Sequence, residues 1–111
     1  MVYIAFTTVS KRSDARKLAR LLLDARAAAC VNILPGTVSV YCWRGKRCED
    51  SEFLLIIKTT KAALPRLKRV LEKNHPYEVH ELVAWPVSEG NAAYLRWVGE
   101  ECRKNKKRPR E

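Results

Sequence analysis

Apolar and polar positions along this 111-residue chain switch between two periods, and the switches mark out its elements. Residues 2–9, VYIAFTTV, are a β-branched and aromatic run that predicts a buried strand. Ala15, Leu18, Ala19, Leu22 and Ala25 then recur at i, i+3, i+4 and i+7 spacing, with Lys11, Arg12, Arg16, Lys17, Arg20 and Arg26 on the other side. This predicts an amphipathic helix over 11–28, with Ser10 or Ser13 as its N-cap. CVNIL (30–34) reads as a short strand, Pro35–Gly36 as a bend or bulge, and TVSVYCW (37–43) as its resumption. Arg44–Gly45 supplies a tight hairpin turn, and the chain returns through 46–60. Pro65 suits the first turn of a second helix, with Leu67, Val70, Leu71 and Asn74 on one face and His75–Pro76 at its end. LVAWPV (82–87) predicts an edge strand, because Pro86 cannot donate to a ladder, and Gly90–Asn91 opens a last helix over 92–104 with Leu95, Val98 and Cys102 inward.

The order βαββαβ plus a C-terminal helix is the ferredoxin-like α+β arrangement, in which two helices cover one face of the sheet. The other face is then a problem for a monomer. FLLII (53–57) is apolar on both sides, so either Leu54 and Ile56 or Phe53, Leu55 and Ile57 would meet water. A contiguous apolar patch of that kind predicts a partner, and the long hairpin is a natural place to extend a sheet between subunits. The expected state is a homo-oligomer with cyclic symmetry.

Composition agrees with one folded domain: 47% hydrophobic, 31% charged. The net charge of +10 suggests nucleic acid until its location is considered, since six of the 22 basic residues fall in 103–111. Residues 1–103 are therefore expected to form the domain and 104–111 a disordered basic tail; nucleic-acid binding through that tail is the least favoured reading, because no RNA- or DNA-binding motif accompanies it. No signal segment or membrane span is evident, which makes the cytoplasm the expected compartment. Cys30, Cys42, Cys48 and Cys102 lack zinc spacing. The absence of Gln and the wealth of Arg, Lys and Glu suggest a thermostable protein, in which cytosolic disulfides occur. Cys42 and Cys48 are a candidate disulfide if the hairpin loop has three residues; a two-residue loop pairs Cys48 with Tyr41 and puts the thiols on opposite faces.

Candidate chemistry gathers in HPYEVHEL (75–82). His75, Glu78, His80 and Glu81 fall within seven positions, which raises a metal site, a ligand pocket or merely the way into a strand, and His75 also suits a cap on the second helix's last carbonyls. Glu78 and Glu81 offer oxygen donors to a hard cation, or an ion pair with Lys58 or an arginine. Asp50 and Glu52 share a strand face about 7 Å apart but, beside Lys46 and Arg47, read as exposed pairs. With no nucleophile motif, no Gly-rich phosphate loop and two histidines, an enzyme is not expected.

ACVNILPG (29–36), SVYCWRGK (39–46), EDSEFLLIIKT (49–59), HPYEVHEL (75–82) and YLRW (94–97) give the chain a resemblance to the CutA divalent-cation-tolerance family, in order and spacing, up to about residue 103. The resemblance implies a ferredoxin-like subunit in a homotrimer similar to PII-type signalling proteins. It also implies a role in metal tolerance, a bound copper or other divalent cation, and no settled enzymatic activity. The copper donors attributed to that family are a cysteine near the end of the first strand and two histidines before Pro-Tyr. Here those positions hold Phe6, Asn74 and His75, leaving His75 alone, and His80 stands where a proline is usual. The resemblance further implies a cleft between subunits, with Trp43, Lys58, Tyr77 and Glu81 as lining and a small anionic ligand as the alternative occupant.

Overall fold

Local pattern and tertiary contact agree along most of the chain, and the computed structural model describes residues 1–104. The basic tail from residue 105 on lies outside the described residues. The elements are β1 (Val2–Val9), α1 (Arg12–Asp24), β2 (Cys30–Trp43), β3 (Lys46–Thr60), α2 (Leu64–Asn74), β4 (Val83–Pro86) and α3 (Ala92–Glu101). The strands form one antiparallel sheet in the order β2-β3-β1-β4, the ferredoxin-like order.

Register decides which apolar set is covered. Ala5 opposes Ile57 and Thr7 opposes Leu55, and these four are fully buried with Leu18 and Leu22 of α1 and Leu67 and Leu71 of α2. The helices therefore lie on the face of Phe53, Leu55 and Ile57. The opposite face carries Ile4, Phe6, Leu54 and Ile56, joined by Val83 and Trp85 from β4 and Leu34 from β2. Leu34, Val83 and Trp85 keep 40–48% of their surface in water, and Phe6 meets Trp85 edge to face at 4.9 Å. Only at one end does α3 close part of this face, burying Val98 and Cys102 with Val2, Ala29 and Ala63.

The hairpin loop has two residues: Trp43 pairs with Lys46, Cys42 with Arg47 and Tyr41 with Cys48. Arg44 and Gly45 take φ of 50° and 79°, the left-handed pair that matches strand twist in such a turn. Cys42 and Cys48 consequently point to opposite faces and both are free thiols, so the three-residue register required by the candidate disulfide is not the one adopted. Pro35–Gly36 forms a bulge inside a continuous β2, the register slipping between Leu34 and Thr37 with Gly36 at φ 75°.

Two expectations at α1 need correction. Its N-cap is Lys11, with no side-chain cap from either serine, and the helix stops at Asp24 instead of 28. Arg26, at φ 57°, turns the chain so that Ala27–Ala29 run buried toward β2. The 5%-exposed Arg26 side chain reaches the carbonyl of Glu101 at 2.7 Å and its carboxylate at 3.5 Å, while Arg66 donates to the carbonyls of Ala25, Arg26 and Cys102. Two guanidinium groups thus cap the C-terminus of α3, where carbonyls lack helical partners and the dipole favours cations. Asn91 caps the other end, accepting from the Tyr94 N–H at 3.0 Å. No helix among the described residues is long and apolar enough to cross a membrane.

Candidate functional site

β1 is paired by β4 only from Tyr3 to Phe6, so the backbone at Thr8 lies beyond that ladder. The segment after α2 covers it. His75 Nε2 lies 3.0 Å from the Thr8 carbonyl and 3.1 Å from Thr7 Oγ1, and Nδ1 accepts the Tyr77 N–H at 3.1 Å. Because Nδ1 is an acceptor, the ring proton sits on Nε2 and is donated to β1. The helix-end role is carried by other groups: the His75 N–H bonds Leu71 O, and Asn74 Nδ2 donates to Val70 O. His80 stacks on the His75 ring at 4.8 Å. Burial, with His80 in second place, lowers the His75 pKa from 6.5, and the Thr8 carbonyl opposes them.

By turning the chain at His75, this segment delivers Tyr77, Glu78, Val79 and Glu81 over the uncovered sheet face, where the hairpin leaves the domain. They meet Thr8, Ser39, Tyr41, Trp43, Asp50 and Glu52 around a cleft of about 810 Å³. Glu52 forms its floor. It is 8% exposed, and Oε2 accepts the Tyr77 hydroxyl at 2.6 Å. The Tyr41 hydroxyl donates to Asp50 Oδ2 in the same way. Both phenols are pushed up to about 12, Tyr41 chiefly by its bond to Asp50 and Tyr77 by burial and then its bond to Glu52. Glu81 stands at the exposed mouth, where partial withdrawal from water and then the charge of Glu52 push its carboxyl up. Four carboxyl side chains therefore line one cleft, and among the described residues no lysine or arginine lines it.

Of the four residues expected to share a cleft, the structure brings together Trp43, Tyr77 and Glu81. Lys58 is elsewhere within the subunit: its Nζ bonds Asn32 Oδ1 and lies 4.0 Å from Cys30 Sγ. Asp50 and Glu52, expected from sequence to form exposed pairs, are instead held by tyrosines. Their shared strand face is visible in EDSE, whereas the tyrosines that meet them are 9 and 25 positions away.

A copper centre at His75 does not fit these contacts. Both ring nitrogens are engaged, Phe6 is packed on Trp85 and Asn74 bonds its own helix. Among the described residues no three His, Cys, Asp or Glu side chains are grouped closely enough to hold a metal ion directly, the cleft carboxylates included, so an ion in the cleft would be held by one or two carboxylates and water. The cleft offers only oxygen donors, the set preferred by hard cations over copper.

The antiparallel sheet, its two-helix cover, the projecting hairpin and the cleft beside it define a ferredoxin-like subunit with a carboxylate-lined recess at the hairpin's base. Residues 3–101 match the family model described as CutA1 divalent ion tolerance protein, and the chain belongs to this family. It is 47% identical over 100 residues to the divalent-cation tolerance protein CutA of Thermus thermophilus, covering 90% of this chain and 97% of that one. A solved structure of the Thermus thermophilus divalent cation tolerance protein superposes with a TM-score of 0.88 at 46% identity, over 91% of this chain and 98% of the other. Protein CutA of Mus musculus is 45% identical over 97 residues, 87% of this chain; the chain spans about half the length of that mammalian relative. Family membership fixes no compartment, since an Arabidopsis thaliana relative (44% identical, over 86% of this chain and 52% of its own) is named chloroplastic. An Archaeoglobus fulgidus structure (29% identical, over 93% of this chain and all of its own, TM-score 0.88) is named periplasmic.

Proposed function

We propose that this chain works as a homotrimer that binds divalent cations in its carboxylate-lined clefts and performs no catalysis. The observation that carries the reading is the Glu52 carboxylate, nine-tenths buried in a cleft lined by Asp50, Glu78 and Glu81 and, among the described residues, by no basic side chain. Like charges brought together without a counter-charge favour a bound cation, and the upward push of Glu52 on Glu81 has the sign that such an ion would reverse. Carboxylate and hydroxyl oxygens suit a hard ion that keeps part of its water. Similarity to proteins named for divalent-cation tolerance supports the same reading. Among the described residues of one subunit a small anion finds no positive group in this lining, so the cleft favours a cation over the alternative of an anion sensor.

Assembly is supported by the apolar face of Ile4, Phe6, Leu54 and Ile56, which lies away from the two covering helices and is only half-buried within the subunit. Each Leu or Ile side chain withdrawn from water there contributes roughly 1.5–3 kcal/mol. The test is thermal unfolding with Mn²⁺, Ca²⁺ and Cu²⁺ at fixed protein concentration. A hard cation at 100 times its Kd stabilises by about 2.7 kcal/mol. Stabilisation by Cu²⁺ alone, abolished by His75→Ala, would overturn the reading.

A further inference from the structure

The cleft is larger than an ion needs. A divalent ion with six waters occupies roughly 200 Å³, at about 30 Å³ per water. The cleft holds about 810 Å³, within the range of small-molecule sites. Its walls are also wrong for an ion alone, because three aromatic rings, Tyr41, Trp43 and Tyr77, stand among the carboxylates. Inorganic ions gain little from such surfaces, whereas organic ammonium groups gain from ring faces and their methylenes from apolar contact. Trp43 already takes one cation in this manner, the Arg44 guanidinium lying 5.4 Å from its ring centroid.

The carboxylates are arranged for more than one positive charge. Asp50 and Glu52 project from the same face of β3 two residues apart, about 7 Å along the strand. Each gives one oxygen to a tyrosine hydroxyl, Asp50 Oδ2 to Tyr41 and Glu52 Oε2 to Tyr77, and neither remaining oxygen has a donor among the described residues. For Glu52 that leaves an unpartnered oxygen on a side chain nine-tenths buried, a costly state unless a ligand supplies the donor. The tyrosine bonds fix both carboxylates in place. Resting on the cation-binding reading above, and naming its ligand class, we propose that the cleft takes a linear aliphatic diamine or polyamine, its ammonium groups on Glu52 and Asp50 and its methylenes against Tyr41, Trp43 and Tyr77.

Calorimetric titration of the full chain with diaminobutane, spermidine, butylamine and Mn²⁺ at constant ionic strength tests this. Diaminobutane is expected to bind saturably, one per chain, and at least about tenfold tighter than butylamine, because only the diamine satisfies both carboxylates. Glu52→Gln should lose at least about tenfold for the diamine, and Tyr41→Leu several-fold, each with an unchanged circular-dichroism spectrum; the second variant keeps the test valid should the first misfold. Equal affinity for diamine and monoamine, or unchanged diamine affinity in both folded variants, overturns the proposal. Mn²⁺ binding without diamine binding sinks the ligand class and leaves the divalent-cation reading standing. Diamine binding without Mn²⁺ binding does the reverse, and no heat from either defeats both.

Discussion

His75 joins two elements. Its ring accepts a hydrogen bond from the Tyr77 N–H and donates one to β1, which ties the 75–81 segment to the sheet and places Tyr77 against Glu52. His75→Ala removes both contacts and strands the Tyr77 N–H, so a loss of about 1–3 kcal/mol in urea unfolding is expected, with no change in Cu²⁺ affinity. The pH dependence has a definite sign. The folded-state pKa lies below the ordinary 6.5, so between the two values the unfolded chain binds more protons. The stability contributed by His75 is complete above 6.5 and is lost as pH falls through the folded-state value. The groups facing the ring are His80, Asp14, Glu52 and Tyr77, and His75→Gln should flatten that part of the stability profile while leaving its carboxylate part. Tyr41 should ionise near pH 12 in an ultraviolet titration and fall back toward 10 in Asp50→Asn, whose amide cannot hold the phenol proton as a carboxylate does. In the sequence, His75 stands out by type. Its partners do not, because they lie 67 and 68 positions earlier on a stretch of β1 whose lack of a neighbour is a property of the sheet.

Among the elements, the β2–β3 hairpin turns through two successive left-handed residues. Arg44 and Gly45 both take positive φ, and a side chain added at Gly45 would find no neighbour within 4 Å to pack against. Gly45→Val should cost roughly 1–2 kcal/mol by thermal unfolding, from the left-handed conformation alone. The strands, the bulge at Pro35–Gly36, the second helix and the Asn91 cap are legible because each is written in residues adjacent in sequence. The end of α1 is not. Ala25, Ala27 and Ala28 continue a helical composition, and what stops the helix is a buried Arg26 whose partner, Glu101, is 75 residues away. The choice between the two faces of FLLII is equally hidden, since alternation fixes which residues share a face but not which face the helices meet. The cleft is half legible: Trp43, Tyr77 and Glu81 follow from the family resemblance, while Glu52 reads as exposed because its burial depends on Tyr77.

For the whole molecule, the uncovered sheet face and the cleft lie on the same side, so the proposed assembly and the proposed ligand binding would share a surface. Ile56 sits in the middle of that face, opposite Phe6 on one side and Asn32 on the other. Ile56→Asp should abolish the trimer in sedimentation velocity and leave an aggregating chain, because an unpaired carboxylate at a dry interface has no water. A wild-type chain that sediments as a stable monomer at micromolar concentration would end the trimer proposal. The central claim is that cations belong to the carboxylate cleft and not to His75, and equilibrium dialysis of Mn²⁺ against wild type, Glu52→Gln and His75→Ala tests it most directly. The account predicts saturable Mn²⁺ binding that Glu52→Gln weakens at least about tenfold and His75→Ala leaves within about twofold. Binding lost in His75→Ala and retained in Glu52→Gln would contradict it.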